Sequence, residues 1–190
     1  MHASIASYFR VALPALLAIV CLDSVALAAD PHAHPPTGKV AAPAAQGFEV
    51  RFLEGMIDHH AMAVHMSQML QTQAVHPELR KLGDSIAVAQ RAEIIQMQGW
   101  LEKWYGRKHE PSMSMPSMQR LEKLKAAAFE KEYLSMMIRH HAMAVKQSKE
   151  CERLAKHSEL HVLCHNIDRS QQGEIAIMKG WLCRWYGKCR

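Results

Sequence analysis

The sequence predicts an all-α fold, an antiparallel four-helix bundle made of two tandem helical hairpins. From Phe48 onward the chain matches itself at a constant offset of 81 positions without a gap, as in Phe48 and Phe129, so it contains an internal repeat. Each copy has two segments with apolar residues at the helical period of about 3.6, and neither has a strand-like alternating run. Two hairpins of this kind bury their apolar faces by pairing into a bundle.

The first 28 residues have the features of a secretory signal peptide. Arg10 precedes an apolar run from Val11 to Leu22, and Ala26 and Ala28 have the spacing of a signal-peptidase site. The apolar run is shorter than the roughly 20 residues of a membrane-spanning helix. We therefore expect a periplasmic protein with no stable membrane anchor after cleavage.

The rest of the chain divides into a tail and one domain. Residues 29–47 are rich in Pro, Ala and His and lack apolar periodicity, which predicts a flexible tail. The four-helix domain is predicted over residues 48–190. It contains a first repeat at 48–106, a Met-rich linker at 107–120 and a second repeat at 129–187.

The first repeat predicts helices at about 48–74 and about 78–105. Pro77 suits the first turn of the second helix, and Gly106 is typical of a helix end, as is its counterpart Gly187 in the second repeat.

A short turn near His76 fixes which residues of the hairpin lie opposite each other. The level of His59 and His60 should then face Glu93, with Met56 opposite Met97. The second repeat places His140 and His141 opposite Glu174, and Met137 opposite Met178, in the same way.

Four cysteines follow the signal, and an even number in an exported chain predicts disulfides. The register of the second hairpin puts Cys151 level with Cys164, so these two should pair. By elimination Cys183 pairs with Cys189, where Gly187 lets the chain turn back.

The segment HHAMAV occurs in both copies, as His59–Val64 and His140–Val145. Consecutive helical residues point about 100 degrees apart, whereas Met56 can share a face with His59 or His60. Each histidine pair therefore straddles the bundle seam. One histidine of each pair could instead be a core residue bonded to the facing glutamate, with the methionines only filling space.

Thioether and imidazole groups together form a ligand set for soft Cu(I), and by the same softness for Ag(I). The chain has 13 methionines, and methionine is the sulfur donor that remains when exported cysteines form disulfides. We therefore predict that the helices bind metal ions through histidine and methionine. Because imidazole must be neutral to coordinate, we expect these sites to weaken below a pKa of about 6.5.

Two further methionine groups are candidate ligands. The first copy has an outer stripe of methionine and histidine at helical spacing, which is either a second, exposed metal site or an ordinary surface of the helix. The linker has an M-x-M-x-x-M run, which suits the capture of Cu(I) by exposed methionines. The stripe is Met62, His65, Met66 and Met69, of which the second copy keeps only Met143, and the run is Met113, Met115 and Met118.

Composition bounds the other function classes. The net charge of +5 is spread among acidic residues, which gives no support for a nucleic-acid partner. No nucleophile, base and orienting group recur together, so we expect no enzyme. A di-iron oxidase would need two Glu-x-x-His motifs that the helices lack, and a structural interaction bundle is the plainer alternative.

The HHAMAV segment, the preceding Met56-Ile57 and the later Q-x-x-E-I-x-x-M-x-x-W-L pattern resemble the exported family catalogued as domain of unknown function 305, in its duplicated form. The resemblance implies a ferritin-like fold and, from members of the CopM type, periplasmic copper binding, with a copper exporter or chaperone as a candidate partner. It implies the ligands Met56, His59, His60, Met66, Met97, Met137, His140, His141 and Met178. Because Gln147 replaces the equivalent of Met66, we expect the second copy's site to be weaker.

Overall fold

The structure is a computed structural model that describes residues 43–113 and 116–189. These residues form four long helices and one short helix, and no strand occurs among them. The helices are α1 (Pro43–Gln73), α2 (Pro77–Tyr105), α3 (Pro116–Glu122), α4 (Ala126–Leu154) and α5 (Ser158–Tyr186). The predicted all-helical class is confirmed. The predicted signal peptide and residues 29–42 of the predicted tail lie outside the described residues.

The helix ends follow local sequence signals. Pro77 occupies the first turn of α2, and Gly106 and Gly187 end α2 and α5 in the left-handed conformation, with φ of 62° and 68°. The first helix begins at Pro43, five residues before the predicted start, so the last part of the predicted tail is helical.

The helices pair as two hairpins. α1 packs on α2, α4 packs on α5, and the hairpins meet along α1 and α4. Both predicted disulfides are present: Cys151–Cys164 joins α4 to α5 with a Cα–Cα distance of 6.0 Å, and Cys183–Cys189 closes the end of α5. Among the described residues, no helix combines the length and apolar character needed to cross a membrane.

The linker differs from the sequence prediction at Met118. Pro116 begins α3, and the helical spacing of Met118 and Leu121 turns both side chains into the core, where they are 9% and 0% exposed. Met118 is therefore a buried residue of a short helix and the prediction of an exposed loop position was wrong. Met113 is 56% exposed as predicted, while Met115 lies outside the described residues.

Candidate metal centre

The two HHAMAV segments meet in the middle of the bundle. The rings of His59 on α1 and His140 on α4 lie with their centroids 3.5 Å apart. The Nε2 atom of His59 is 3.1 Å from the backbone oxygen of His140, so it donates a hydrogen bond there in the Nε2–H tautomer. These two residues, the inner histidines, join the two repeats across their pseudo-symmetric centre.

His60 and His141, the outer histidines, are each held by a glutamate of the same hairpin. Nε2 of His60 is 2.7 Å from Oε2 of Glu93, and Nε2 of His141 is 2.7 Å from Oε2 of Glu174. Both histidine side chains are 0% exposed, whereas both glutamate side chains are 20% exposed. The predicted pairing of each histidine pair with the glutamate opposite it in the same hairpin is therefore confirmed.

The hydrogen bonds of the outer histidines leave a nitrogen free. When Nε2–H donates to the glutamate, Nδ1 carries a lone pair, and the Nδ1 atoms of His60 and His141 are buried without a hydrogen-bond partner. A buried donor or acceptor without a partner costs about 1–3 kcal/mol. A metal-ligating histidine commonly donates its other N–H to a carboxylate, and in this arrangement Nδ1 is the ring nitrogen that would be available to a metal ion.

The inner histidines are also incompletely bonded. Nδ1 of His59 and both ring nitrogens of His140 are buried without a partner. Burial lowers the pKa of His59 to about 3, with further lowering by His60 and His141. Burial first, and then the neighbouring histidines, lower the pKa of His140 to about 2. Both pKa values lie well below the ordinary value of about 6.5 from which the expected weakening of metal binding was reasoned, so that reasoning does not apply to the inner histidines. The pH dependence of metal binding itself stays a prediction.

Buried methionines flank the histidines on both sides. Met56 and Met97 belong to a core cluster with Phe52 and Leu101, which we call the open half because a groove reaches Met56 there. The other cluster, the covered half, is packed by α3 through Met118 and Leu121 and contains five methionines: Met66, Met118, Met136, Met137 and Met178.

Met66 belongs to the first repeat, but its side chain packs among methionines of the second repeat. α1 and α4 are antiparallel, and the hydroxyls of Ser67 and Tyr133 lie 3.3 Å apart, so Met66 is near the level of Met137 and shares its cluster. Gln147 lines the same groove as Met56. The missing thioether therefore lies beside Met56 of the first copy and not beside Met137. The relative strength of the two sites stays a prediction.

The outer stripe of the first copy is divided by its burial. Met66 is 1% exposed and lies in the core, whereas Met62 and Met69 pack at its edge. His65 is half-buried, with Nε2 4.0 Å from a carboxylate oxygen of Glu122 on α3. Met143 of the second copy is 51% exposed. Met66 is thus separated from the other stripe residues, which remain near the surface.

Within residues 43–113 and 116–189, no group of three or more His, Cys, Asp or Glu side chains is arranged to hold a metal ion. A di-iron centre of carboxylates therefore finds no ligand set in this part of the chain. A metal ion at the outer histidines would need thioether ligands. Met56 and Met137 each precede an outer histidine by one helical turn and are 1% and 0% exposed.

Two polar clusters at the bundle ends were missed by the sequence analysis. Glu49 is buried, and its carboxylate accepts hydrogen bonds from the backbone N–H groups of Lys156 and His157, from His157 Nδ1–H and from the Tyr105 hydroxyl. The ring of His157 stacks on the ring of Trp104, with their centroids 3.8 Å apart. Burial raises the pKa of Glu49, but these hydrogen bonds outweigh burial and leave the pKa below its ordinary value.

The opposite end of the bundle repeats this cluster. Glu130 accepts hydrogen bonds from the backbone N–H groups of Val75 and His76, from His76 Nδ1–H and from the Tyr186 hydroxyl. The ring of His76 stacks on Trp185 at 3.8 Å. Each cluster joins the turn of one hairpin to helix ends of the other. The signal was available, because all four residue types recur at the offset of the internal repeat.

Comparison with known proteins agrees with this architecture. Residues 49–182 match the sequence profile of a family described as "Domain of unknown function (DUF305)". A curated relative, "Uncharacterized protein L153" of Acanthamoeba polyphaga mimivirus, is 34% identical over 53 residues. That match covers 28% of this chain and 35% of the relative, so the chain spans only about a third of its length.

Solved structures match over most of the domain. CopM in its Cu(I)-bound form is 34% identical, with a TM-score of 0.68 over 73% of this chain and 98% of that chain. CopM in its Ag-bound form, obtained by co-crystallization, is also 34% identical, with a TM-score of 0.67 and the same coverage. A DUF305 protein of Streptomyces coelicolor described as secreted is 26% identical, with a TM-score of 0.63 over 72% of this chain and 92% of that chain.

Proposed function

The chain belongs to the DUF305 family, and from this premise we propose that it binds Cu(I), and Ag(I) by the same softness, through the outer histidines and the buried methionines. The observation that carries the proposal is the pair of orphaned Nδ1 atoms at His60 and His141. Each belongs to an imidazole whose Nε2–H is already committed to a glutamate. CopM, a relative of similar fold, has been solved with Ag, Cu(I) and Cu(II).

The ligand chemistry favours a monovalent soft ion. Thioethers and neutral imidazoles are soft or intermediate donors, and they carry no charge that would have to be neutralised in the core. A divalent ion would bring two positive charges into a site whose nearest carboxylates, Glu93 and Glu174, already accept hydrogen bonds from the histidines. The donor set therefore suits Cu(I) better than Zn²⁺ or Fe²⁺.

The biological role that fits this chemistry is to limit free copper in the periplasm. The predicted signal peptide and the two disulfides agree with an oxidising compartment. In this role the protein binds and releases metal without catalysing a reaction, and a copper exporter or chaperone is the partner that would supply or receive the ion.

Competition titration tests this proposal. The mature, metal-free protein is titrated with Cu(I) against a coloured Cu(I) chelator, beside a His60→Leu/His141→Leu variant and a His161→Gln/His165→Gln control. His161 and His165 are exposed, so the control removes two histidines without touching the core. We expect tight binding by the parent and the control, and a loss of about 100-fold or more in the variant because imidazole ligands are removed.

Two results would contradict the proposal. One is a parent that does not compete with the chelator, as the structural interaction bundle requires. The other is a variant that binds as many Cu(I) ions as the parent with the same affinity. Circular dichroism of each protein confirms that the helical fold is retained, so that a loss of binding is not a loss of structure.

A further inference from the structure

A groove on the surface between α1 and α4 reaches one of the buried methionines. Its volume is about 290 Å³. Its rim is formed by exposed residues, among them Gly55, Gln147 and Glu150, and its lining also includes Phe52 and Met56, which are 8% and 1% exposed. Met56 is therefore a core thioether that lies next to an opening to solvent.

Gly55 keeps this groove open. It lies inside α1, and a Cβ atom placed on it would meet nothing within 4 Å. The helix itself therefore does not require glycine at this position, and a glycine inside a helix costs about 1 kcal/mol relative to alanine. The missing side chain leaves space beside Met56 at the cost of local helix stability.

The equivalent position in the covered half is filled. Met136 replaces Gly55 in the second repeat and is 8% exposed, and Met66 stands where the open half has Gln147. Met118 and Leu121 of α3 pack into the same cluster. The repeat thus has one open half and one half closed by larger side chains and an added helix.

We propose that the groove at Gly55 is the port through which Cu(I) enters and leaves the centre of the bundle, with Met56 as the first buried ligand that the ion meets. This inference rests on the proposed function and adds the route of exchange. Ions pass between soft ligands by stepwise replacement, so a thioether beside an opening provides the first step. The covered half then exchanges its ion more slowly than the open half.

Closing the port should change rates without changing equilibrium affinity. In Gly55→Leu, a branched side chain without sulfur fills the groove and adds no ligand. The matched control is Gly180→Leu, because Gly180 also lies exposed inside a long helix, a Cβ atom added to it would meet nothing within 4 Å, and it is outside the groove. Both variants make the same gain in helix propensity.

Stopped-flow transfer of Cu(I) from a coloured chelator gives the loading rate. We expect Gly55→Leu to slow loading and release of the open-half site by about tenfold or more, with affinity and stoichiometry unchanged and with Gly180→Leu like the parent. Unchanged rates in Gly55→Leu, or equal slowing in both variants, would overturn the port while leaving copper binding intact. A parent that binds no Cu(I) would overturn the proposed function and the port together.

A metal-free measurement reports on the same opening. Hydrogen peroxide oxidises a thioether to a sulfoxide and is itself reduced to water, and peptide mass spectrometry locates the added oxygen. Met56 and Met137 are equally buried, at 1% and 0%, so a difference between them reports on access. We expect Met56 to be oxidised well before Met137, and Gly55→Leu alone to remove the difference. Equal oxidation of the two methionines in the parent would contradict the port.

Discussion

The inner histidines should make the metal-free protein unstable towards acid. Because the pKa of His59 is lowered to about 3 and that of His140 to about 2, the unfolded chain binds a proton at each position below pH 6.5 and the folded chain does not. Stability is therefore fully present above pH 6.5 and falls as the pH is lowered towards 3. At pH 5 each histidine lowers the free energy of unfolding by about 2 kcal/mol relative to pH 7, and the two together lower it by about 4 kcal/mol.

Urea unfolding of the metal-free, disulfide-intact protein at pH 7, 6 and 5 measures this loss. Between pH 7 and pH 5, the free energy of unfolding of the variant His59→Leu/His140→Leu should fall by about 4 kcal/mol less than that of the parent. The control His161→Gln/His165→Gln removes two exposed histidines and should follow the parent. If parent and variant have the same pH dependence, the inner histidines are protonated in the folded protein and the reasoning is refuted.

Three further predictions concern particular contacts. Changing Glu93 and Glu174 to Gln should weaken Cu(I) binding by about 10- to 100-fold in a chelator titration, because the carboxylates orient the histidines through their hydrogen bonds. Glu130→Ala should lower the free energy of unfolding by about 3 kcal/mol, since it removes the acceptor of four hydrogen bonds. An unchanged thermal unfolding temperature would contradict the role of Glu130 in joining the two hairpins. Replacing Cys151 and Cys164 by Ala should cost about 3 kcal/mol for a loop of this length, measured by urea unfolding.

The register within each hairpin was predictable because a short turn fixes it. The turn near His76 determines which residue of α2 lies opposite His60, and the pair of His60 with Glu93 follows directly. The turn near His157 does the same for the second hairpin, where Cys151 pairs with Cys164. The duplication then carries the same register to the second repeat. Local sequence and helix geometry were sufficient for these contacts.

Contacts between the hairpins could not be predicted in the same way. The linker does not fix how α1 packs on α4, so the sequence did not reveal that Met66 joins the cluster of Met137 or that Gln147 lies beside Met56. The low pKa of His59 also depends on this packing, because burial is its largest cause. The repeated glutamates Glu49 and Glu130 could have been recognised as structural, since a polar residue retained in both copies needs a reason.

The central claim is that Nδ1 of each outer histidine binds the metal ion. Proton–nitrogen correlation spectra of the protein with ¹⁵N-labelled histidine side chains, recorded with and without Ag(I), observe these atoms directly, and His60→Leu and His141→Leu assign the signals. Coordination through Nδ1 predicts that the Nδ1 resonances of His60 and His141 shift when Ag(I) is added. The Nε2 atoms should keep their protons and their hydrogen bonds to Glu93 and Glu174. Spectra in which only exposed histidines such as His161 respond to Ag(I) would contradict it.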